Sequence, residues 1–387
     1  MIAKFIRSID WVLVISALLL VFLGLSTMKS FGPNAYLTDL LNATDYFFYR
    51  QIYWLLISIA LFFTTAWINW HFLKTNSIFL LLPYLFVVVL LVFLLARGSA
   101  VRGAASWLTV FSLRIEPVEI LKLILILVLA KYFSRRHIEI ARFHTLLISG
   151  LYVALPMLLV IMQPDLGSAI VLGAIWLGMS LVGGIKVRHL FMLGIFALLF
   201  FIIAWTFFLY PYQKSRIISF VSPEADLKGS GYHAFQSMIA AGSGQILGKG
   251  IGFGTQSRLA FLPEHETDFI FAAYAEEWGF VGVLAVFLFF GIVLWRILRS
   301  GIYGESNFEK LFAAGFAIFL FFQASIHVGM NIGLLPITGL GMPFLSYGGS
   351  SLASIFIGLG ILESFSFHKK GIFLGSEERF KEGIFGT

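Results

Sequence analysis

Apolar residues run along this chain in blocks of about 18 to 25, the length a helix needs to cross a hydrocarbon core roughly 30 Å thick. The blocks predict ten membrane-spanning helices, at 11–28, 52–68, 77–95, 118–134, 146–162, 168–185, 189–209, 277–296, 311–332 and 343–365. Pro83, Pro117 and Pro156 fall inside or at the start of spans, where each begins a helix or kinks it. Most tryptophans, among them Trp54, Trp67, Trp176 and Trp278, fall near span ends and read as interfacial anchors. Only 210–276 makes a long polar interruption. The expected fold is therefore all-α and polytopic, one membrane domain over 1–387 with a short, loosely ordered tail at 368–387.

Composition agrees with this pattern. Of the 387 residues only 12% are charged, against roughly 25% in a soluble domain. The first apolar run, Trp11 to Leu25, has no small-residue cleavage site after it and reads as a retained span. Basic residues mark alternate loops: Lys4 and Arg7, Lys74, Arg135 and Arg136, Lys186 and Arg188, Arg296 and Arg299, then Lys369 and Lys370. The intervening turns at 163–167 and 333–342 carry no Lys or Arg. That bias places both termini in the cytoplasm and the loop between spans seven and eight outside. It also accounts for the net charge of +7 without nucleic-acid binding. With no cysteine, disulfides, thiolate metal sites and cysteine nucleophiles are excluded.

Polar residues converge in four places. The first runs from Trp107 through Arg114 to Glu119 and Lys122. Pro117 suits a first helical turn, and Glu119 and Lys122, three apart, share a face. Charges there need a partner or a wet cavity, so the group is either a tolerated salt bridge or an anion site with Arg114. The second is the turn Gln163-Pro164-Asp165-Leu166-Gly167-Ser168, where Asp165 suits a helix cap. The third is the outer loop, with Arg216, a short amphipathic helix near 229–237, the glycine-rich run Gly242–Gly254 containing Lys249, and then Leu262-Pro263-Glu264-His265-Glu266-Thr267-Asp268. The glycine run lacks the order of a phosphate-binding loop and reads either as a flexible surface segment or as a close backbone approach. The fourth is Pro343-Phe344-Leu345-Ser346-Tyr347-Gly348-Gly349-Ser350-Ser351, where Ser346 and Ser350 either permit close packing or line a cavity. His327 reads as an interior histidine, since no second ligand stands at a metal-like spacing on its helix.

Taken in order, these segments resemble the SEDS family (shape, elongation, division and sporulation), which includes RodA and FtsW. The resemblance runs from about Trp11 to Phe367 and rests on Pro263-Glu264 with Thr267-Asp268-Phe269-Ile270-Phe271, the Pro164-Asp165-Leu166-Gly167 turn and the Ser346-Tyr347-Gly348-Gly349-Ser350 motif. The run Gly333-Leu334-Leu335-Pro336-Ile337-Thr338-Gly339 looks more like the RodA branch. Five positions depart from the family pattern: Ser106, Glu116 with Val118, Glu266, and His327 where an asparagine is usual.

The resemblance implies a bacterial cytoplasmic-membrane peptidoglycan glycosyltransferase that polymerises lipid II at the outer face for cell elongation. Its expected partners are a class B penicillin-binding protein and other membrane proteins of the elongation complex. By motif position Asp268 falls on the family's essential aspartate, with Glu119, Lys122, Trp107 and Arg114 on its supporting residues. Chemically, an acid accepts the proton of the attacking sugar hydroxyl while cations offset charge on the departing diphosphate. Arg114 and Lys122 are the first candidates for that second role, Arg216 and Lys249 weaker ones, with Ser346 and Ser350 supporting. A divalent cation such as Mg or Mn would suit the diphosphate, but no ligand set is legible. Two rival classes are a lipid II flippase, which needs polar groups through the full membrane depth, and a non-catalytic scaffold for a penicillin-binding protein.

Overall fold

The computed structural model describes residues 2–30, 41–97, 107–110, 113–136, 143–208, 214, 218, 220, 230–259, 261–262 and 264–385. A short helix α1 (Ile2–Ser8) leads to α2 (Trp11–Ser30), capped where Asp10 Oδ1 accepts the Leu13 N–H at 3.2 Å. Next come α3 (Leu41–Trp67), a single turn α4 (His71–Thr75) and α5 (Ile78–Arg97). After α6 (Pro117–Ser134) follow α7 (Phe143–Met162), α8 (Leu166–Val182) and α9 (Val187–Ile203), the last ending in a π-helical turn over Ala204–Phe208. The segment before the next long helix contributes α10 (Ser230–Ser243) and α11 (Thr255–Arg258). The chain closes with α12 (Ile270–Ile302), α13 (Asn307–Asn331) and α14 (Gly349–Phe385).

A helix falls on each of the ten apolar blocks. Among the described residues seven helices are long and apolar enough to cross a membrane, and Leu166–Val182 is a shorter apolar one. The chain is a multi-pass membrane protein. Pro83 and Pro156 lie inside α5 and α7, and Pro117 opens α6. At the centre stands α6, whose Leu121, Leu125, Ile126 and Leu129 are fully buried. It packs against α5, α8, α13 and α14, while α14 lies along α3 and α12 sits between α2 and α13.

Four features depart from the sequence reading. The all-α expectation misses a two-stranded antiparallel ribbon, β1 (Leu108–Val110) and β2 (Leu113–Ile115), which pairs Thr109 with Arg114 just before α6. Each strand is three residues with a polar centre, Thr109 or Arg114, a pattern too short to stand out beside the apolar spans. Trp54 is no interfacial anchor: it is buried, against the space left by Gly349. The tail beyond 368 continues α14 to Phe385, through the helix-forming Glu377-Glu378-Arg379-Phe380-Lys381-Glu382. Finally, α12 begins seven residues before the expected start and is broken at Gly279 (φ 65°, ψ −167°).

That break explains the glycine run. Lys249 and Gly250 donate their N–H groups to the carbonyls of Glu276 and Glu277, at 2.9 and 3.0 Å. Phe280 and Val281 donate to Gln245 and Ile246, at 2.9 and 3.1 Å. The loop thus satisfies backbone groups that the interrupted helix leaves open, as irregular backbone at membrane depth requires. A Cβ at Gly279 would stand 2.2 Å from the Gly248 nitrogen, so the approach needs glycine.

Candidate active site

One end of the bundle gathers the N-terminus of α6, the turn between α7 and α8, the 264–269 turn and the segment between α13 and α14. Together they enclose a cavity of about 390 Å³. Asp268 lines it, half-buried, with Glu116, Glu119, Asp165 and Glu264.

The turn that carries Asp268 is fixed from several sides. The N–H groups of Thr267, Asp268 and Phe269 all point at the Glu264 carbonyl, at 3.1, 3.0 and 3.3 Å. Ser346 Oγ donates to the Thr267 carbonyl at 2.8 Å, and the Tyr347 N–H donates to the Glu266 carbonyl at 2.9 Å. Asn331 Nδ2 donates to the Asp268 carbonyl at 3.0 Å. A Cβ placed on Gly339 would lie 3.8 Å from Asp268 Oδ2, so the carboxyl faces that glycine across the cavity.

Ser346 and Ser350 both line the cavity and both hold backbone. Ser346 Oγ accepts the Met342 N–H at 2.7 Å, and Ser350 Oγ accepts the Glu116 N–H at 2.9 Å. Their hydroxyls therefore tie the start of α14 to the Asp268 turn and to the start of α6. Asp165 caps α8 through the Ser168 N–H at 2.9 Å and also lines the cavity.

The Glu119–Lys122 ion pair forms as the spacing predicts, at 2.7 Å and with both groups buried. Lys122 Nζ also donates to Gln323 Oε1 at 3.1 Å, and Gln323 Nε2 donates to the Gly341 carbonyl at 3.0 Å. Lys122 is fully buried between the Glu119 and Gln323 acceptors, both on residues that line the cavity, and braces the 338–342 segment through Gln323.

Lys249 pairs with Glu276 at 2.7 Å in the glycine-loop cluster and is not among the residues that line the cavity. Trp107 is exposed at the cavity edge. Arg114 is exposed on β2, and its charge and that of Arg50 act on Tyr347, which lines the cavity. Arg216 lies outside the described residues.

Crowded acids shape the electrostatics. Burial, then the neighbouring Glu119 and Asp165, push the Glu116 carboxyl well above the usual carboxylate range, against the pull of Lys122. Burial also raises Asp165, and the Ser168 hydrogen bonds offset only part of that. For His265 burial acts to lower the pKa, but the contact with Glu266 at 3.2 Å outweighs it and the net shift is upward. No group of three or more His, Asp or Glu is arranged to hold a metal ion among the described residues.

Sequence reasoning missed Arg50, Glu116, Glu264, Gln323 and Asn331 as parts of this site. For two of them a signal existed. Gln323, His327 and Asn331 recur every four residues on an otherwise apolar helix, a buried polar stripe. His327 Nδ1 meets the Leu340 carbonyl at 2.7 Å, as an interior histidine does.

Fold and site together define a multi-pass membrane protein with an acid-lined cavity at one end of its helical bundle. Residues 10–371 match the FtsW/RodA/SpoVE family, described as cell cycle proteins. The chain belongs to that family.

Among curated relatives, the probable peptidoglycan glycosyltransferase FtsW of Haemophilus influenzae is 34% identical over 97% of this chain and 93% of its own length. The peptidoglycan glycosyltransferase MrdB of Escherichia coli is 37% identical over 74% of this chain and 78% of its own. Stage V sporulation protein E of Bacillus subtilis is 34% identical over 91% and 95%.

Solved structures agree with this placement. A chain described under structural coordination of polymerization and crosslinking by a peptidoglycan synthase complex aligns with a TM-score of 0.75 and 30% identity, covering 92% of this chain and 97% of that one. The rod shape determining protein RodA of Thermus thermophilus aligns with a TM-score of 0.66 and 28% identity, covering 93% and 96%.

Proposed function

We propose that this protein is a peptidoglycan glycosyltransferase that polymerises lipid II at the outer face of the bacterial cytoplasmic membrane. One observation carries the reading: Asp268 stands in a cavity, on a turn held by two separate segments, in a family with curated members named for that activity. Ten spans with both termini cytoplasmic suit the basic loops and put the cavity outside.

In the proposed step a sugar hydroxyl attacks the anomeric carbon that bears the lipid diphosphate. The new glycosidic C–O bond forms as the bond to the diphosphate oxygen breaks, and the diphosphate leaves with the electron pair. Asp268 accepts the hydroxyl proton, a contribution typically worth 10² to 10⁴ in rate. A diphosphate leaving group needs no general acid, so one carboxylate suffices. The charges of Arg114 and Arg50 act on the cavity-lining Tyr347, and in this reading they offset the charge of the departing diphosphate. Lys122, Glu119 and Gln323 act as positioning residues through Gly341. A divalent cation, if bound, would offset the diphosphate charge; among the described residues no three His, Asp or Glu are grouped to hold one.

A class B penicillin-binding protein is the proposed partner, in keeping with the match to a complex that couples polymerization to crosslinking. A role in cell elongation is proposed from the run Gly333–Gly339, with left-handed glycines at both ends, and from the likeness to MrdB and RodA.

The test is to reconstitute the purified protein with its partner, supply labelled lipid II, and follow polymer and translocation in the same vesicles. Polymer that depends on Asp268 supports the proposal. Translocation without polymer would identify a flippase, and polymer indifferent to Asp268 would identify a scaffold.

A further inference from the structure

The larger cavity, about 610 Å³, lies at the other end of the bundle. Asp268 precedes the first residue of α12, whereas Arg296 and Arg299 stand near its last. Beyond the break at Gly279, α12 runs on to Ile302 for about 35 Å. This cavity is therefore separate from the site described above.

Three arginines line it: Arg7 from α1, and Arg296 and Arg299 from α12. Its three acids are already engaged. Asp10 pairs with Arg296 at 2.5 Å, Glu309 pairs with Lys74, and Glu363 accepts the Asp10 N–H at 3.1 Å. Among the described residues neither Arg7 nor Arg299 has an ion pair; Arg299 lies over the Tyr303 ring at 5.9 Å. Set against the Glu363 carboxylate, Arg7 and Arg299 leave the lining with an excess of positive charge.

The surroundings decide what kind of anion suits them. Trp11, Tyr303 and Ile302 around the cavity are 42%, 65% and 72% exposed, and Trp295 and Leu298 continue the exposed apolar strip along α12. Aromatic residues at the ends of spans mark the headgroup level of a bilayer. A free phosphate ion gains nothing from such a strip, whereas a lipid lays its chains against it.

We propose that this cavity binds the phosphate of an anionic phospholipid, with Arg7 and Arg299 on the phosphate oxygens and the acyl chains along α12. A guanidinium can fork onto two such oxygens, and basic pockets between helix ends are suited to lipid headgroups. The bound lipid joins α1 to α12 at the end remote from Asp268, so the site is independent of the glycosyltransferase reading.

The test uses the full chain in detergent, titrated with phosphatidylglycerol or phosphatidylcholine and followed by native mass spectrometry. Wild type is expected to retain one phosphatidylglycerol in preference to phosphatidylcholine. The double variant R7Q/R299Q should bind it roughly 30-fold more weakly, the combined worth of two basic side chains near an anionic headgroup. R7K/R299K should keep most of the preference, which separates loss of charge from loss of fold. Equal retention of the two lipids, or equal loss in the Gln and Lys variants, would overturn the proposal. Displacement of the lipid by excess inorganic phosphate would overturn its lipid part and leave a site for a soluble anion.

Discussion

Asn331 holds the backbone of Asp268. Its Nδ2 donates to the Asp268 carbonyl at 3.0 Å while its Oδ1 accepts the Ala272 N–H at 3.1 Å, so one buried amide spans the junction between the Asp268 turn and the first turn of α12. Asn331→Ala removes both bonds. Misplacing a catalytic group by about 1 Å can cost roughly 100-fold in rate, so kcat should fall by that order with KM little changed. Steady-state kinetics on lipid II, alongside thermal unfolding, would check this; unchanged kcat in a folded variant would remove Asn331 from the site.

Lys122 should matter first for stability. Lys122→Met leaves the buried Glu119 carboxylate without its cation, a change that typically costs about 3–5 kcal/mol. The double variant Lys122→Met with Glu119→Gln should recover most of that loss, because no uncompensated charge remains. Denaturant unfolding of both variants measures the difference, and equal destabilisation would show that the charge pair is not what stabilises this corner.

A similar distinction applies to Lys249. Lys249→Met should destabilise the loop around Glu276, which would still accept the Gln256 N–H at 3.1 Å. Activity per folded molecule should stay near wild type, since the side chain is not among those that line the cavity. A large kcat loss without any loss of stability would return Lys249 to the catalytic machinery.

The crowded acids give a pH dependence with a definite sign. Glu116 and Asp165 have folded pKa values raised above their unfolded ones, so the native state holds their protons more tightly. Their contribution to stability is complete below the ordinary carboxylate range and is lost as pH rises through the raised values. Glu116→Gln, which carries no charge at any pH, should flatten that fall. Melting temperature against pH for wild type and variant is the measurement, and parallel curves would exclude Glu116 as its source.

How much of this was readable beforehand follows from the kind of signal each feature leaves. The long helices announce themselves because each falls on a mostly apolar block of about the length of a span. Asp165 and Pro117 were legible because helix ends demand caps and tolerate proline at fixed positions. Asp268 and the two serines stood out as polar residues in an apolar chain. The further partners of Lys122 and Lys249 were hidden, because which acceptor a flexible ammonium finds depends on Gln323 and Glu276, 201 and 27 positions away. The break in α12 was hidden too, since it exists only because a glycine loop packs into it.

The central claim is that the Asp268 carboxylate takes the proton from the attacking sugar. The most direct measurement compares wild type with Asp268→Asn, equally folded and each with its partner, for glycan polymer formed from purified lipid II. The predicted result is a loss of at least about 100-fold with lipid II binding retained. Polymer at the wild-type rate from the asparagine variant would contradict it.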